Sequence, residues 1–232
     1  MRLSIIIPVY NEELTILRVI GRTREELEKI GIEYEIVVVD DGSTDKTLEL
    51  LKTVKGINLI LLTGNYGKGM AVLEGFKQST GEIIVVQDAD LEYHPKDLEV
   101  MYYLINQGIA DVVYGSRFKG GSPQISLYGH HYLANRLISG LVNIFCNSTL
   151  SDVEVGYKMA KRDVWKSVQP LNLSDFGFEV EFTIKVLRHG WRIYEVGISY
   201  FGRTYEQGKK INWLDGVKAL WYIGRYGLFY WV

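Results

Sequence analysis

Cysteine is nearly missing: the 232 residues hold one, Cys146. One cysteine excludes an intrachain disulfide framework and leaves the redox compartment open. It sits among apolar residues, where packing is its simplest use. Long apolar runs are missing too. None approaches the ~18 residues that a bilayer-spanning helix needs. Net charge is only −2, from 26 basic and 28 acidic side chains. That near-balance argues against a nucleic-acid partner, so any other anion must be met by a local basic patch. No glycine-rich run joins the first strand pattern to the first helix pattern, and G-x-x-x-x-G-K-[ST] does not occur. Simple dinucleotide and P-loop sites are thereby excluded. Met1-Arg2-Leu3-Ser4 leads straight into a strand pattern, so no cleavable leader is expected there. Internal repeats, low-complexity tracts and hinge-like linkers are absent as well.

What remains reads as an ordinary globular chain. Hydrophobic residues make up 47% and charged residues 23%, and the length suffices for one sizeable core. Apolar runs of strand length recur at Leu3 to Val9, Ile36 to Val39, Ile57 to Leu62, Ile83 to Val86 and Asp111 to Tyr114. Helical spacing separates them: Leu14, Leu17, Ile20 and Leu27, then Leu48 and Leu51, then Met70 to Gln78, then Pro95 to Asn106. Strand and helix alternate about five times. That order predicts a mostly parallel sheet with right-handed crossovers and helices on both faces. Asn11 is expected to cap the first helix, with Glu12 and Glu13 in its first turn. Ser43 or Thr44 is expected to cap the second. Gly64-Asn65-Tyr66-Gly67-Lys68-Gly69 reads as a loop.

The acids fall at strand ends. Ile36 to Val39 runs into Asp40-Asp41, and Ile83 to Val86 runs into Gln87-Asp88-Ala89-Asp90-Leu91-Glu92. Open α/β sheets bind ligands outside the carboxyl ends of their strands. Paired carboxylates there suit a hard divalent cation shared with substrate phosphates. Asp88-Ala89-Asp90 also fits a capped turn before Pro95.

The second half is less regular. Phe118 to Gln124 is a loop by composition. Tyr128 to Phe145 carries Leu133, Leu137, Leu141 and Phe145, an amphipathic helical stripe. Val153 to Ala160 is strand-like around Gly156, Phe182 to His189 is helical, and Trp191 to Tyr200 alternates like an antiparallel or edge strand. From Asn212 the aromatics gather. Trp213, Leu214, Val217, Leu220, Trp221 and Ile223 form a stripe near Lys218 and Arg225, and seven aromatics lie between Trp213 and Trp231. Such a segment suits a membrane interface, a packed C-terminal helix or a dimer contact.

Five motifs occur in a recognisable order: Ile5-Ile6-Ile7-Pro8-Val9-Tyr10-Asn11-Glu12, Val37-Val38-Val39-Asp40-Asp41-Gly42-Ser43, Gly67-Lys68-Gly69, Asp88-Ala89-Asp90 and Gly115-Ser116-Arg117. Together they resemble the family-2 glycosyltransferases of GT-A fold. Within these the chain is similar to the polyprenyl-phosphate hexose synthases, of which dolichyl-phosphate mannose synthase is the best known. The resemblance covers roughly residues 3–211.

The resemblance implies a GT-A catalytic domain over 1–211, with a nucleotide-sugar half (1–116) and an acceptor half (117–211). Residues 212–232 would be an amphipathic aromatic segment at the membrane interface. Pro8, Tyr10, Glu12 and Asp40 would line the base and ribose of the donor. Asp41 would orient a loop or serve as a cap. Lys68 would lie in a flexible loop over the donor, or simply in solvent. Asp88 would bound the donor pocket, and Asp90 would hold Mg²⁺ or Mn²⁺ against the diphosphate. Glu92 stands where many relatives carry a Gln, as a further metal ligand. Arg117 would bind the acceptor phosphate and align its oxygen, or form a surface ion pair. His130 and His131 stand near the place where mannose synthases carry a second acceptor-binding Arg. Arg203 and Lys210 would lie in a loop closing over both phosphates, or in a solvated basic turn. Glu179 and Glu181 would touch sugar hydroxyls, or act as base if the acceptor were an alcohol.

The implied reaction is inverting transfer of a hexose from a nucleotide sugar, GDP-mannose or UDP-glucose/UDP-GlcNAc, to a dolichyl or undecaprenyl phosphate. The implied place is peripheral, on the cytoplasmic face of the membrane. Two other functions fit the same residues: transfer to a saccharide or protein hydroxyl, and nucleotide-sugar binding without turnover. A nucleotidyltransferase is disfavoured by the missing glycine-rich, Arg-containing loop after the first strand.

Overall fold

The computed structural model describes residues 1–120, 123, 125, 129–172, 177–203 and 213–229. Its elements follow the chain as β1 (Leu3–Val9), α1 (Ile16–Ile30), β2 (Tyr34–Asp40), α2 (Thr47–Lys52), β3 (Asn58–Leu61), α3 (Lys68–Gln78) and β4 (Ile83–Val86). A 3-10 turn (Pro95–Asp97), α4 (Leu98–Asn106), β5 (Val112–Ser116), α5 (Gly129–Cys146), β6 (Lys158–Lys161), α6 (Arg162–Ser167), α7 (Gly177–Arg188), β7 (Ile193–Gly197) and α8 (Trp213–Phe229) complete it.

One seven-stranded sheet runs in the order β3-β2-β1-β4-β6-β5-β7. β1 pairs in parallel with β2 and β4, β2 with β3, and β5 with β7. Only β6 is reversed, antiparallel to both β4 and β5. β1, β4 and β5 are buried along their whole length. Helices cover both faces, so these strands read as unbroken apolar runs. The two halves of the chain share this one sheet, because β6 of the second half lies between β4 and β5 of the first.

The reversal of β6 shapes the crevice. β1, β2, β4 and β5 all end on the same edge of the sheet. β6 begins there, so the loop before it (152–157) lies beside the acids that follow β4. The sequence predicts a strand from Val153; pairing starts only at Lys158. N–H groups of the loop go to side chains instead, with Val153 N–H donating to Ser139 Oγ at 3.0 Å and Gly156 N–H to Tyr93 Oη at 3.2 Å.

Several local expectations are corrected. Asn11 does not cap α1. It sits at φ 51°, a conformation Asn tolerates, and its Oδ1 accepts the Thr44 N–H at 2.7 Å. The helix therefore begins later, after Thr15, and Glu12 and Glu13 fall outside its first turn. Neither Ser43 nor Thr44 caps α2; Asp45 Oδ1 accepts the Thr47 N–H at 2.9 Å instead. Lys68 is no loop residue but the first residue of α3. β7 is an edge strand as expected, yet parallel to its neighbour.

The α5 stripe is split. Leu133 is 69% exposed and Leu137 53%, while Leu141 packs against the core with Ile138 and Val142. α8 packs on α5 and α7 through buried Ala219, Ile223 and Tyr226. Leu220 and Trp221 on the same helix are exposed. Among the described residues no helix is long and apolar enough to cross a membrane.

Candidate active site

The end of β2 is braced by its own acids. Ser43 donates to Asp40 Oδ1 from its hydroxyl at 2.5 Å and from its N–H at 3.2 Å. Asp41 accepts the N–H groups of Tyr66 and Gly67, both at 2.8 Å. Asp41 thus orients the loop that delivers Lys68. Pro8 is buried inside β1, opposite Val39, and Tyr10 and Glu12 follow the strand's end.

Lys68 stands at the centre of the crevice. Its ammonium lies 2.8 Å from Asp88 Oδ1 and 2.9 Å from Glu179 Oε1. Burial works against the charge, but the two carboxylates outweigh it and hold the ammonium well above the ordinary lysine range. The residue joins three elements: α3, the turn after β4, and α7. Gly156 closes the same spot from below. A Cβ there would come within 2.2 Å of Asp88 Oδ2 and 3.0 Å of Lys68 Nζ. Only a glycine lets backbone and carboxylate approach so closely.

Asp90 lies deeper in the acid turn. Its Oδ1 accepts the Glu92 N–H at 3.0 Å. Burial, followed by the negative charges of Asp88 and Glu92, pushes its carboxyl up to about 7. Carboxyls crowded until ionisation is disfavoured fit a divalent cation, which would relieve that repulsion. Among the described residues no three His, Cys, Asp or Glu side chains converge into a metal shell. A site here would therefore be of the Mg²⁺ type, one or two carboxylates completed by phosphate oxygens and water. Glu92 is already engaged: Oε2 accepts Tyr200 Oη–H at 2.9 Å and Oε1 the Arg203 N–H at 2.8 Å.

Arg203 straps the crevice. Its guanidinium pairs with Glu12 at 3.1 and 2.8 Å and donates to the Asp90 carbonyl at 2.9 and 2.7 Å. It thereby links the end of β1 to the acid turn after β4.

Arg117 follows β5 and forms no surface ion pair. It is 9% exposed. Nε and Nη2 hold both oxygens of Asp152, at 2.8 and 2.7 Å, and the Arg117 N–H adds a third bond at 3.0 Å. Its guanidinium carbon lies 5.8 Å from the Phe118 ring centre and 5.6 Å from that of Tyr200. One edge of the fork is thus committed, and Nη1 has no hydrogen-bond partner among the described residues.

Other expected residues fall elsewhere. Glu181 is separated from Glu179 by two positions on α7, which turns it to the opposite face. It pairs with Lys185 at 2.7 Å and accepts the Asn172 N–H, so it does not join the Lys68 cluster. His130 and His131 belong to the first turn of α5. Lys210 lies outside the described residues. Residues that the sequence left unremarked complete the crevice: Asp152, Glu154, Tyr93 and Tyr200. Tyr93 stacks on Tyr157 with centroids 5.0 Å apart.

The family profile described as Glycosyl transferase family 2 matches residues 4–168. The chain belongs to glycosyltransferase family 2. It is 30% identical over 220 residues to a dolichol-phosphate mannosyltransferase of Pyrococcus furiosus, a match covering 91% of this chain and 61% of the relative. It is 36% identical over 154 residues to an undecaprenyl-phosphate 4-deoxy-4-formamido-L-arabinose transferase of Pectobacterium atrosepticum, covering 64% and 45%. The chain thus spans about half the length of these curated relatives. Among solved structures it superposes on glucosyl-3-phosphoglycerate synthase from Mycobacterium tuberculosis with a TM-score of 0.71 at 20% identity, over 97% of this chain and 78% of that one. That structure was determined with Mn²⁺, uridine diphosphate and phosphoglyceric acid. The shared fold is the GT-A fold of this family, an α/β sheet with helices on both faces.

Proposed function

We propose that this family-2 enzyme transfers a hexose from a nucleotide sugar to a polyprenyl phosphate. The state of Glu179 and Glu181, the carboxylates the sequence offers as base for a neutral acceptor, carries this reading. An alcohol must lose a proton to attack, so it needs a base. Glu181 is turned away and paired with Lys185, and Glu179 is paired with Lys68; a carboxylate committed to a buried ion pair would have to give up its partner to take a proton. A phosphate oxygen is already ionised near neutral pH and needs only to be held in line. Arg117, fixed by Asp152 with Nη1 left over, suits that task.

The donor would lie across the ends of β1, β2 and β4. Tyr10, Glu12 and Asp40 would meet its base and ribose, and Asp88 and Lys68 would flank its sugar and phosphate. Mg²⁺ or Mn²⁺ at Asp90, beside the diphosphate, would supply Lewis-acid stabilisation of the charge that builds on the leaving group. Glu92 would act there by holding Tyr200 and Arg203. A single in-line displacement would invert the anomeric centre. His130, His131 and Lys210 would add positive charge or N–H donors toward the acceptor phosphate.

The lipid acceptor implies a membrane surface. The exposed side of α5 supports one: Leu133, Leu137 and Ile144 are 69%, 53% and 76% exposed, and their spacing by four and seven puts them on one face. Leu220 and Trp221 add exposed apolar area on α8, which packs on α5, and Arg136 is exposed on α5. The protein would dock peripherally, through α5 and the C-terminal segment, on the cytoplasmic face.

Radiolabelled GDP-mannose, UDP-glucose and UDP-GlcNAc with Mn²⁺, undecaprenyl or dolichyl phosphate, and the purified protein test this. Label from one of them should enter the lipid fraction. Label passing to free saccharides or peptides, with none in lipid, would establish the neutral-acceptor reading instead.

A further inference from the structure

Glu154 has no role in the mechanism above, yet the fold displays it. Lys158 is buried, and its ammonium donates to the carbonyls of both Val153 (2.9 Å) and Val155. These are the two residues flanking Glu154. The ammonium also lies 4.8 Å from the centre of the Tyr114 ring. Lys158 thus curls the loop into an arc with Glu154 at its outer point. Two residues on is Gly156, pressed against Asp88 Oδ2 and Lys68 Nζ. Residues two apart span at most roughly 7 Å of chain, so Glu154 stands close to the crevice.

Two carboxylate oxygens are left without partners there. Glu154 Oε1 is buried and has no hydrogen-bond partner among the described residues. Glu179 is 3% exposed; its Oε1 holds Lys68, and its buried Oε2 likewise has no partner among them. Orphaned buried oxygens are costly and rare, and each calls for a donor. Burial, then the charge of Glu179, pushes the Glu154 carboxyl up to about 8, so the two acids influence one another. Glu179 lies on Lys68, and Glu154 adjoins it two residues before Gly156, next to the place where the donor's sugar would rest.

We propose that Glu154 joins Glu179, already expected to touch sugar hydroxyls, and sets which transferred sugar is accepted, with Lys158 as the residue that positions Glu154. Sugar hydroxyls supply the missing donors. Glu154 then sets which donor sugar is accepted, while the nucleotide is held by other residues. This rests on the donor reading given above.

Calorimetric binding with Mn²⁺ tests it on the full chain, comparing GDP with GDP-mannose and UDP with UDP-glucose. The base that binds wild type is carried forward to E154Q and E179Q. Losing the hydrogen bond of a buried polar group makes about a fivefold to hundredfold difference in affinity. E154Q should weaken the nucleotide sugar by about tenfold or more and leave the nucleoside diphosphate within about twofold. K158M should reproduce that pattern while thermal unfolding reports whether the loop still folds. Equal loss of both ligands in E154Q, or no loss of either, overturns the subsite. Unchanged binding with abolished turnover would make Glu154 a base, which overturns it as well. If neither GDP nor UDP binds wild type, the donor reading itself falls first.

Discussion

Replacing Lys68 by methionine isolates what the central ammonium does. The side chain keeps its length, but Asp88 and Glu179 lose the charge 2.8 and 2.9 Å away. Removing one member of a buried ion pair costs about 3–5 kcal/mol, because the other charge stays buried without compensation. Asp88 retains 17% side-chain exposure and Glu179 4%, which favours the lower end, about 3 kcal/mol. For a chain of this size each kcal/mol shifts Tm by roughly 2–4 °C, so a fall of roughly 6–12 °C is expected. Lys68 has its folded pKa raised, so its contribution is fully present below the ordinary lysine value. It is lost only as pH rises through the folded one, and wild type should show no dependence on this group between pH 5 and 8. Urea unfolding of wild type and K68M at pH 8 reads the deficit. A deficit below about 1 kcal/mol, the worth of an exposed pair, would refute the reasoning.

Two further outcomes follow. Gly156→Ala puts a Cβ 2.2 Å from Asp88 Oδ2; the carboxylate must swing away from Lys68, with an overpacking cost of about 1–3 kcal/mol. Unchanged Tm and unchanged nucleotide-sugar affinity in G156A would show that the contact is easily relieved. Asp111 binds Arg192 at 2.8 Å and Lys161 at 2.6 Å, and Arg192 first, then Lys161, hold its carboxyl well below the usual range. That stability is present above the unfolded pKa and lost as pH falls through the folded one. Since Arg192 is 55% exposed and Lys161 28%, screening limits the deficit of D111N to about 1 kcal/mol at pH 7. The deficit should narrow below about pH 4, and a deficit that grows on acidification would contradict the assignment.

The parallel part of the fold was legible because it is local. Ile5, Ile6, Val37, Val38, Ile84 and Val85 are all fully buried, and an apolar run of that length with a helical pattern behind it admits few other arrangements. β6 was hard to place because its direction is set by partners far along the chain: Val85 and Val113 both face Met159. The motif acids were legible as a set, but their partners were not. Nothing near Arg117 in sequence points to Asp152, 35 residues away. Gly156 did carry a signal, since a glycine inside a strand pattern marks a close backbone approach. The caps were misread for a physical reason. Asn11, Ser43 and Thr44 had local uses as helix caps, yet they bond one another across two loops, and that lattice holds the ends of β1 and β2 together. For α5, the leucines at 133 and 137 predicted amphipathicity correctly, but periodicity alone does not say which medium the apolar face meets.

The cations show how such a site keeps its shape before any phosphate arrives. Lys68, Arg117 and Arg203 are each bound to a carboxylate, Asp88 with Glu179, Asp152 and Glu12 respectively. An unpaired cation in a buried crevice would be costly, and an unpaired acid equally so. The pairs differ in how readily a ligand can use them. Arg117 is gripped by both oxygens of a fully buried Asp152 and by its own backbone bond, so it stays in place and offers the remaining nitrogen. Lys68 is shared between two acids from different elements, so it fixes the distance between the turn after β4 and α7. Arg203 sits on Glu12, an acid proposed to meet the donor, and on the carbonyl of Asp90, the proposed metal ligand. Its contacts are therefore the ones a nucleotide and a metal would have to exchange. Arg117 and Lys68 hold the frame, and under the proposed function the Arg203 strap is the part of the charge network whose partners would have to change for a donor to enter.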